Sequence, residues 1–181
     1  MHSKNEWGKL KKVIVGHAHN ATVPEIDISL RHINYADVKD ELTIPAGKYP
    51  QIVVDEANED LTTFVNFLEK EGVDVVRPDI TDCNYYNYCP RDSVIVYKDK
   101  AIATPMPLRA RRNEYKAYEK HLENVNAFDI MRSDELYNPN CLGDREVLAL
   151  TEHEPAFDAA NVIRANDDLL YLVSNSGNKS G

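Results

Sequence analysis

Residues Asp55–Pro78 read DEANEDLTTFVNFLEKEGVDVVRP, a helix, a stop and a strand in immediate succession. Leu61, Phe64, Val65 and Leu68 recur at the i, i+3, i+4, i+7 spacing of one apolar helix face, which predicts a helix over 55–71. Gly72 follows at the position where a left-handed residue ends a helix. Val73-Asp74-Val75-Val76 is then a strand, closed by Arg77-Pro78. A helix packed so closely in sequence against a strand predicts α/β layering.

Working outward, Leu10-Lys11-Lys12-Val13-Ile14-Val15-Gly16 reads as a short strand closed by glycine. Residues 18–50 carry Pro24, Pro45, Gly47 and Pro50, so loop with one short helix is expected. Downstream, Ser93-Val94-Ile95-Val96-Tyr97 and Ala101-Ile102-Ala103-Thr104 flank the polar turn Lys98-Asp99-Lys100, a hairpin pattern. A second helix is expected from about Arg112 to Glu123. The hairpin pattern recurs at Asn161–Arg164 and Leu169–Val173 around the turn Ala165–Asp168. Asp92 leads the first hairpin and Asp158 the second, so each unit offers one carboxylate at the same end of its sheet.

An acid at the mouth of a buried strand is partly desolvated and wants a cation or hydrogen-bond donors. The plain alternative is a turn aspartate bonded to nearby backbone N–H groups. A guanidinium presents paired N–H donors in a plane that match carboxylates, so two converging aspartates suit arginine or a related guanidine.

Other chemistry finds less support. Thirty acidic against twenty-one basic residues give a net charge of −9, which repels phosphate backbones, and nucleic acid is excluded as a partner. No apolar run approaches the roughly 18 residues of a membrane helix. The first residues lack an apolar or Arg-rich leader, and Cys83, Cys89 and Cys141 form no disulfide framework. A reducing cytoplasm is therefore expected. His17 and His19 have H-x-H spacing, but no second ligand pair follows, and no metal or other cofactor is expected. Tyr85, Tyr86 and Tyr88 read as amphipathic tyrosines over the core rather than a pocket lining. No phosphate-loop, dinucleotide, zincin or nucleophile-elbow motif occurs.

Several stretches, in order, resemble the glycine (L-arginine) amidinotransferases and their inosamine-phosphate relatives. They are Asn5-Glu6-Trp7 with Leu10–Gly16, Glu71–Pro78, and Pro90-Arg91-Asp92. Arg109-Ala110-Arg111, Glu114–Tyr118, Asp134–Asn138 and Glu154–Ala160 continue the match. The resemblance implies an α/β-propeller (pentein) of ββαβ modules around a central site, here an incomplete propeller. Residues 1–181 would then be the N-terminal part of one such domain. It implies transfer of an amidino group from L-arginine to an acceptor amine through a covalent amidino-cysteine. Asp92, Arg109 and Arg111 are the implied substrate-binding residues, and Asp158 is the implied catalytic partner of a histidine. The family's histidine and late cysteine motifs would fall beyond Gly181, implying a chain cut short or encoded in two pieces and inactive alone. Asn161 stands where the family's F-D-A-A-D stretch has its second aspartate, which weakens a charge-based role there. The sister reading is a hydrolase of the same fold that gives the amidino group to water; a third is a non-catalytic guanidine-binding protein. The acceptor (glycine, an inosamine phosphate or lysine) and a homodimer are left open.

Overall fold

The computed structural model describes residues 2–81, 85, 87–122, 125–127, 131–144 and 146–181. Cys83 and Tyr86 lie outside them. Strand β1 (Lys12–Ile14) is followed by β2 (Thr22–Val23), a short helix α1 (Ile28–Ile33) and β3 (Gly47–Lys48), which pairs antiparallel with β2. Asp27 caps α1 by accepting the Leu30 N–H at 2.9 Å. Helix α2 (Gln51–Lys70) then leads into β4 (Asp74–Val76), which lies parallel to β1 with Val13 opposite Val75.

Helix α2 begins at Gln51, before the expected Asp55, with Pro50 as the residue that precedes it. The Gln51 side-chain amide donates to Asp55 Oδ1 at 2.7 Å and closes that added turn. Leu61, Val65 and Leu68 pack with Val15 and Val73 beneath the β1–β4 pair. Phe64, expected on the same face, is half-exposed instead. Gly72 ends the helix at φ +79°, and the Val73 N–H reaches back to Leu68 O at 3.0 Å. Gly16 answers a different demand. A Cβ there would stand 2.2 Å from the Asn87 carbonyl oxygen, so only glycine lets the two chains approach.

A short helix α3 (Pro90–Ser93) opens the first hairpin, β5 (Val94–Tyr97) and β6 (Lys100–Ala103). Strand β7 (Val125–Asn126) adds parallel to β6. The helix expected over 112–123 is absent among its described residues. The chain forms 3-10 turns at Arg109–Arg111, Glu114–Ala117 and Glu119–His121. The cause is side-chain spacing: Arg111 pairs with Glu114, and Tyr115 and Tyr118 share one buried cluster. Residues three apart eclipse one another along a 3-10 turn, in closer register than the neighbouring i, i+3 positions of an α-helix. The second hairpin is β8 (Val162–Ala165) and β9 (Asp168–Tyr171), with Asn166 in its turn at φ +63°.

The two hairpins pack face to face through Ile95 and Ile102 against Val162, Phe157 and Tyr171. The N-terminal segment fastens both. Arg164 grips Glu6 with two N–H donors at 2.9 and 2.7 Å and donates to Val96 O at 2.7 Å. Tyr85 is core, packed with Val23, Leu30, Met106 and Leu108, while Tyr88 lines a side cavity of 290 Å³ against α2. Among the described residues no helix is long and apolar enough to cross a membrane. Nor is any group of three His, Cys, Asp or Glu side chains there placed to hold a metal ion.

His17 is buried beyond the end of β1, its ring 5.1 Å from that of His19. Burial first, and then His19, hold its pKa below the ordinary histidine value. A histidine kept neutral by the fold binds its proton more readily when unfolded, so stability is full above about pH 6.5 and falls as pH drops toward the folded pKa. Urea unfolding at pH 7.5 and 5.5 should show a loss for the native chain that shrinks in His17→Asn. An equal loss in both would assign the acid sensitivity to other groups.

Candidate active site

Asp92 sits in α3, where Pro90 occupies the first helical position and the Asp92 N–H donates to Cys89 O at 3.2 Å. Thr104 Oγ1 donates to the Asp92 carbonyl at 3.2 Å, tying that turn to the far end of β6. The carboxylate is met by the protein's own cation: Arg111 Nη1 donates to Asp92 Oδ2 at 2.9 Å. Arg111 is 5% exposed and also grips Glu114, itself 1% exposed, at 2.9 Å. Ser93 Oγ donates to the same Glu114 oxygen at 3.1 Å. Burial opposes the Arg111 charge, but Glu114 and then Asp92 outweigh it and hold the guanidinium firmly protonated.

Asp158 precedes the 3-10 turn Ala159–Asn161, and its N–H donates to Ser176 O at 3.0 Å. Arg91 joins the two acid-bearing turns. Its guanidinium donates to Ala159 O at 3.1 Å and to Val162 O at 3.2 Å, so the residue beside Asp92 clamps the segment that follows Asp158. The carboxylates feel one another as a result. Burial raises the Asp158 pKa above the usual carboxylate value, and the charge of Asp92 raises it further against the opposing pull of Ser176 and Arg111.

A cavity of 440 Å³ opens at this junction. Asp158 and Arg111 line it, together with Ile33, Asn34, Leu108 and the loop 174–176. Asp92 lies behind Arg111, sharing one oxygen with it. Arg109 does not line this cavity: it donates to Arg132 O at 2.6 Å, pairs with Asp134 and lies over the Tyr137 ring. The structure thus brings Asp92, Arg111 and Asp158 together and sets Arg109 apart. Glu114, Arg91 and the 174–176 loop escaped the sequence reading. Only the three-residue spacing from Arg111 to Glu114 carried a usable signal for any of them.

Two substitutions should act in opposite directions on stability. Arg111→Met leaves Glu114 buried and Asp92 partly buried without their cation, at a cost of about 3–5 kcal/mol in denaturant unfolding. Asp158→Asn should leave stability unchanged or higher. A carboxyl whose folded pKa is raised costs stability once pH passes its unfolded value near 3.9, and the neutral amide escapes that cost at pH 7. A stable Arg111→Met protein, or a sharply destabilised Asp158→Asn protein, would contradict this balance of charges.

No family model matches the chain. Individual proteins do. The chain is 39% identical over 198 residues to inosamine-phosphate amidinotransferase 1 of Streptomyces glaucescens, covering 98% of itself and 56% of that protein. It is 33% identical over 210 residues to mitochondrial glycine amidinotransferase of Gallus gallus, covering 99% of itself and 50% of that relative. Among solved structures, the inosamine-phosphate amidinotransferase of Streptomyces griseus superposes with a TM-score of 0.90 at 37% identity, over 99% of this chain and 57% of that one. An amidinotransferase of saxitoxin biosynthesis from Microseira wollei gives 0.84 at 28%, over 99% and 56%. DDAH from Pseudomonas aeruginosa gives 0.59 at 14%, over 95% and 53%, a likeness of fold alone. The chain thus spans about half the length of the relatives it matches. Along its length it is homologous to the inosamine-phosphate and glycine amidinotransferases, and its mixed α/β fold is that of the pentein family.

Proposed function

We propose that the cavity beside Asp158 receives the guanidinium of L-arginine and that this chain supplies the carboxylate side of an amidino transfer. The observation that carries the reading is a cavity lined by Asp158 and by Arg111, the cation that holds Asp92, in a homologue of amidinotransferases. With Asp158 ionised, three carboxylates (Asp92, Glu114 and Asp158) surround one guanidinium, that of Arg111, leaving a surplus of negative charge. Such a surplus attracts a cationic guanidine and loses its own repulsion when the ligand arrives. Arg111 Nη1 meets Oδ2 of Asp92, and in this reading Oδ1 accepts from the planar donor of the substrate.

In this reading Asp92 holds the substrate guanidinium, Arg111 aims Asp92, and Arg109 braces the Asp134–Tyr137 wall. Asp158 orients the imidazole that moves the proton. A cysteine thiolate attacks the guanidinium carbon, the bond from that carbon to the δ-nitrogen breaks, and ornithine departs after that nitrogen takes a proton from the imidazolium. The acceptor amine, glycine or a similar amine, then attacks the amidino carbon, gives up a proton and releases the thiolate. Neither Cys89 nor Cys141 suits the nucleophile. Burial raises both thiol pKa values, and Asp92 raises that of Cys89 further. We assign the attacking thiol and the imidazole to a part of the propeller outside residues 1–181; Cys83 lies outside the described residues. Both described cysteines are free thiols, in keeping with a reducing cytoplasm.

Calorimetry with L-arginine on the chain, alongside a product assay, tests this reading. Binding is expected without amidino transfer. Asp92→Asn should weaken binding by roughly 10- to 150-fold, the loss of one charge-assisted contact of about 1.5–3 kcal/mol. Arginine affinity unaffected by Asp92→Asn would overturn the assignment. Ornithine release by residues 1–181 alone would place the nucleophile within them.

A further inference from the structure

The Asp158 carboxylate is held from behind by a neutral side chain. Asn161 Nδ2 donates to Asp158 Oδ1 at 2.9 Å, and it also lies 3.1 Å from Ser176 Oγ and 3.2 Å from Ser176 O. On the other side of the same amide, Asn161 Oδ1 accepts from Ser174 Oγ at 2.7 Å. Asn161 is 6% exposed, so water does not compete for these bonds. A primary amide has two N–H donors and an accepting oxygen. One donor meets Asp158, the other meets Ser176, and the oxygen meets Ser174. No other group of this size satisfies that set: an aspartate cannot donate when ionised, and a leucine of similar volume would leave the carboxylate and Ser174 buried without partners.

The consequence reaches the cavity. Ser174 and Ser176 belong to the loop that lines it together with Asp158, Ile33 and Leu108. A single amide therefore couples the carboxylate's rotamer to the position of that wall. The Asp158 N–H to Ser176 O bond and the Ser176 N–H to Ser174 Oγ bond, at 3.0 and 3.1 Å, close the circuit.

We infer that Asn161 is a positioning residue for Asp158, holding the carboxylate toward the cavity and fastening the Ser174–Ser176 wall to it. This rests on the reading of Asp158 as the acid of the site. A second carboxylate there would stand within hydrogen-bonding reach of Asp158, and the two would share a proton. Among the described residues the groups acting on Asp158 are Asp92 from the first hairpin unit, Arg111 from the turn Arg109–Arg111, Ser176 from the loop and Tyr171 from β9, so a change at 161 is read against that fixed background.

The test follows the Asp158 carboxyl carbon by NMR in a chain labelled with ¹³C-aspartate, the signal assigned by its loss in Asp158→Asn. In Asn161→Asp, Asp158 should titrate in two coupled steps with an apparent pKa at least about one unit higher than in the native chain. In Asn161→Ala, loss of the donor should also move the titration upward, whereas Ser174→Ala keeps the Asn161–Asp158 bond and should leave it near the native value. Each variant's thermal transition shows whether it is folded; Ser174→Ala is the milder change and reads the loop alone. Identical Asp158 titration in the native chain, Asn161→Asp and Asn161→Ala would overturn the inference. The titration needs no substrate, so it stands or falls separately from L-arginine binding. A native chain that binds no arginine yet shows the coupled titration defeats the proposed function and leaves the Asn161 contact established.

Discussion

Like charges brought together inside a protein must be compensated, and the arrangement of this chain follows from how Asp92 and Asp158 are made to coexist. Each leads its own hairpin, and the hairpins pack through Ile95, Ile102, Val162 and Tyr171. That packing would set the two acid-bearing turns side by side with nothing to offset their repulsion. Two arginines supply the remedy in different ways. Arg91 directs its donors to the carbonyls of Ala159 and Val162 and acts as a mechanical clamp. Arg111 places a buried positive charge between Asp92 and Glu114 and lowers the local field. Remove the first and the turns lose their registry. Remove the second and three carboxylates face each other with no cation among them.

The balance remains short of neutrality. Asp158 is desolvated and feels Asp92, which raises the cost of its charge in the folded chain. A purely structural aspartate at the start of a turn would be expected to have its carboxylate stabilised by backbone N–H groups and its pKa lowered. Here the cost is retained at the one carboxylate that lines the cavity, which is where a cationic ligand would offset it. Stability and site chemistry are therefore in tension at a single residue.

Local pattern carried much of the fold. The face of α2, its glycine stop, the strand after it and both hairpins depend on residues within a few positions of each other, and Leu61, Val65, Leu68 and Gly72 announce them. What failed was whatever depended on distant partners. Phe64 fits the helical period yet stays half-exposed, outside the cluster in which Leu61, Val65 and Leu68 pack with Val15 and Val73. The segment after Arg111 has helix-forming residues, but its side chains must reach Asp92, Ser93 and Pro90 on another element, and the tighter 3-10 spacing serves those contacts. The site was legible as a pair of acids because each stands before a hairpin. Arg111 entered with Arg109 through the family resemblance alone, since no local rule shows that Arg111 turns inward while Arg109 reaches Asp134. Asn161 showed only a missing charge in the sequence; the donated hydrogen bond emerged from the fold.

The central claim is that Asp92 and Asp158 serve one guanidinium. The most direct measurement is an NMR titration of the ¹³C-aspartate chain with L-arginine, following both carboxyl carbons at once. The account predicts that the two signals shift together along one saturable isotherm, with lysine at the same concentration moving neither to the same extent. Signals that stay still while other aspartates respond, or that follow two different isotherms, would contradict a shared site.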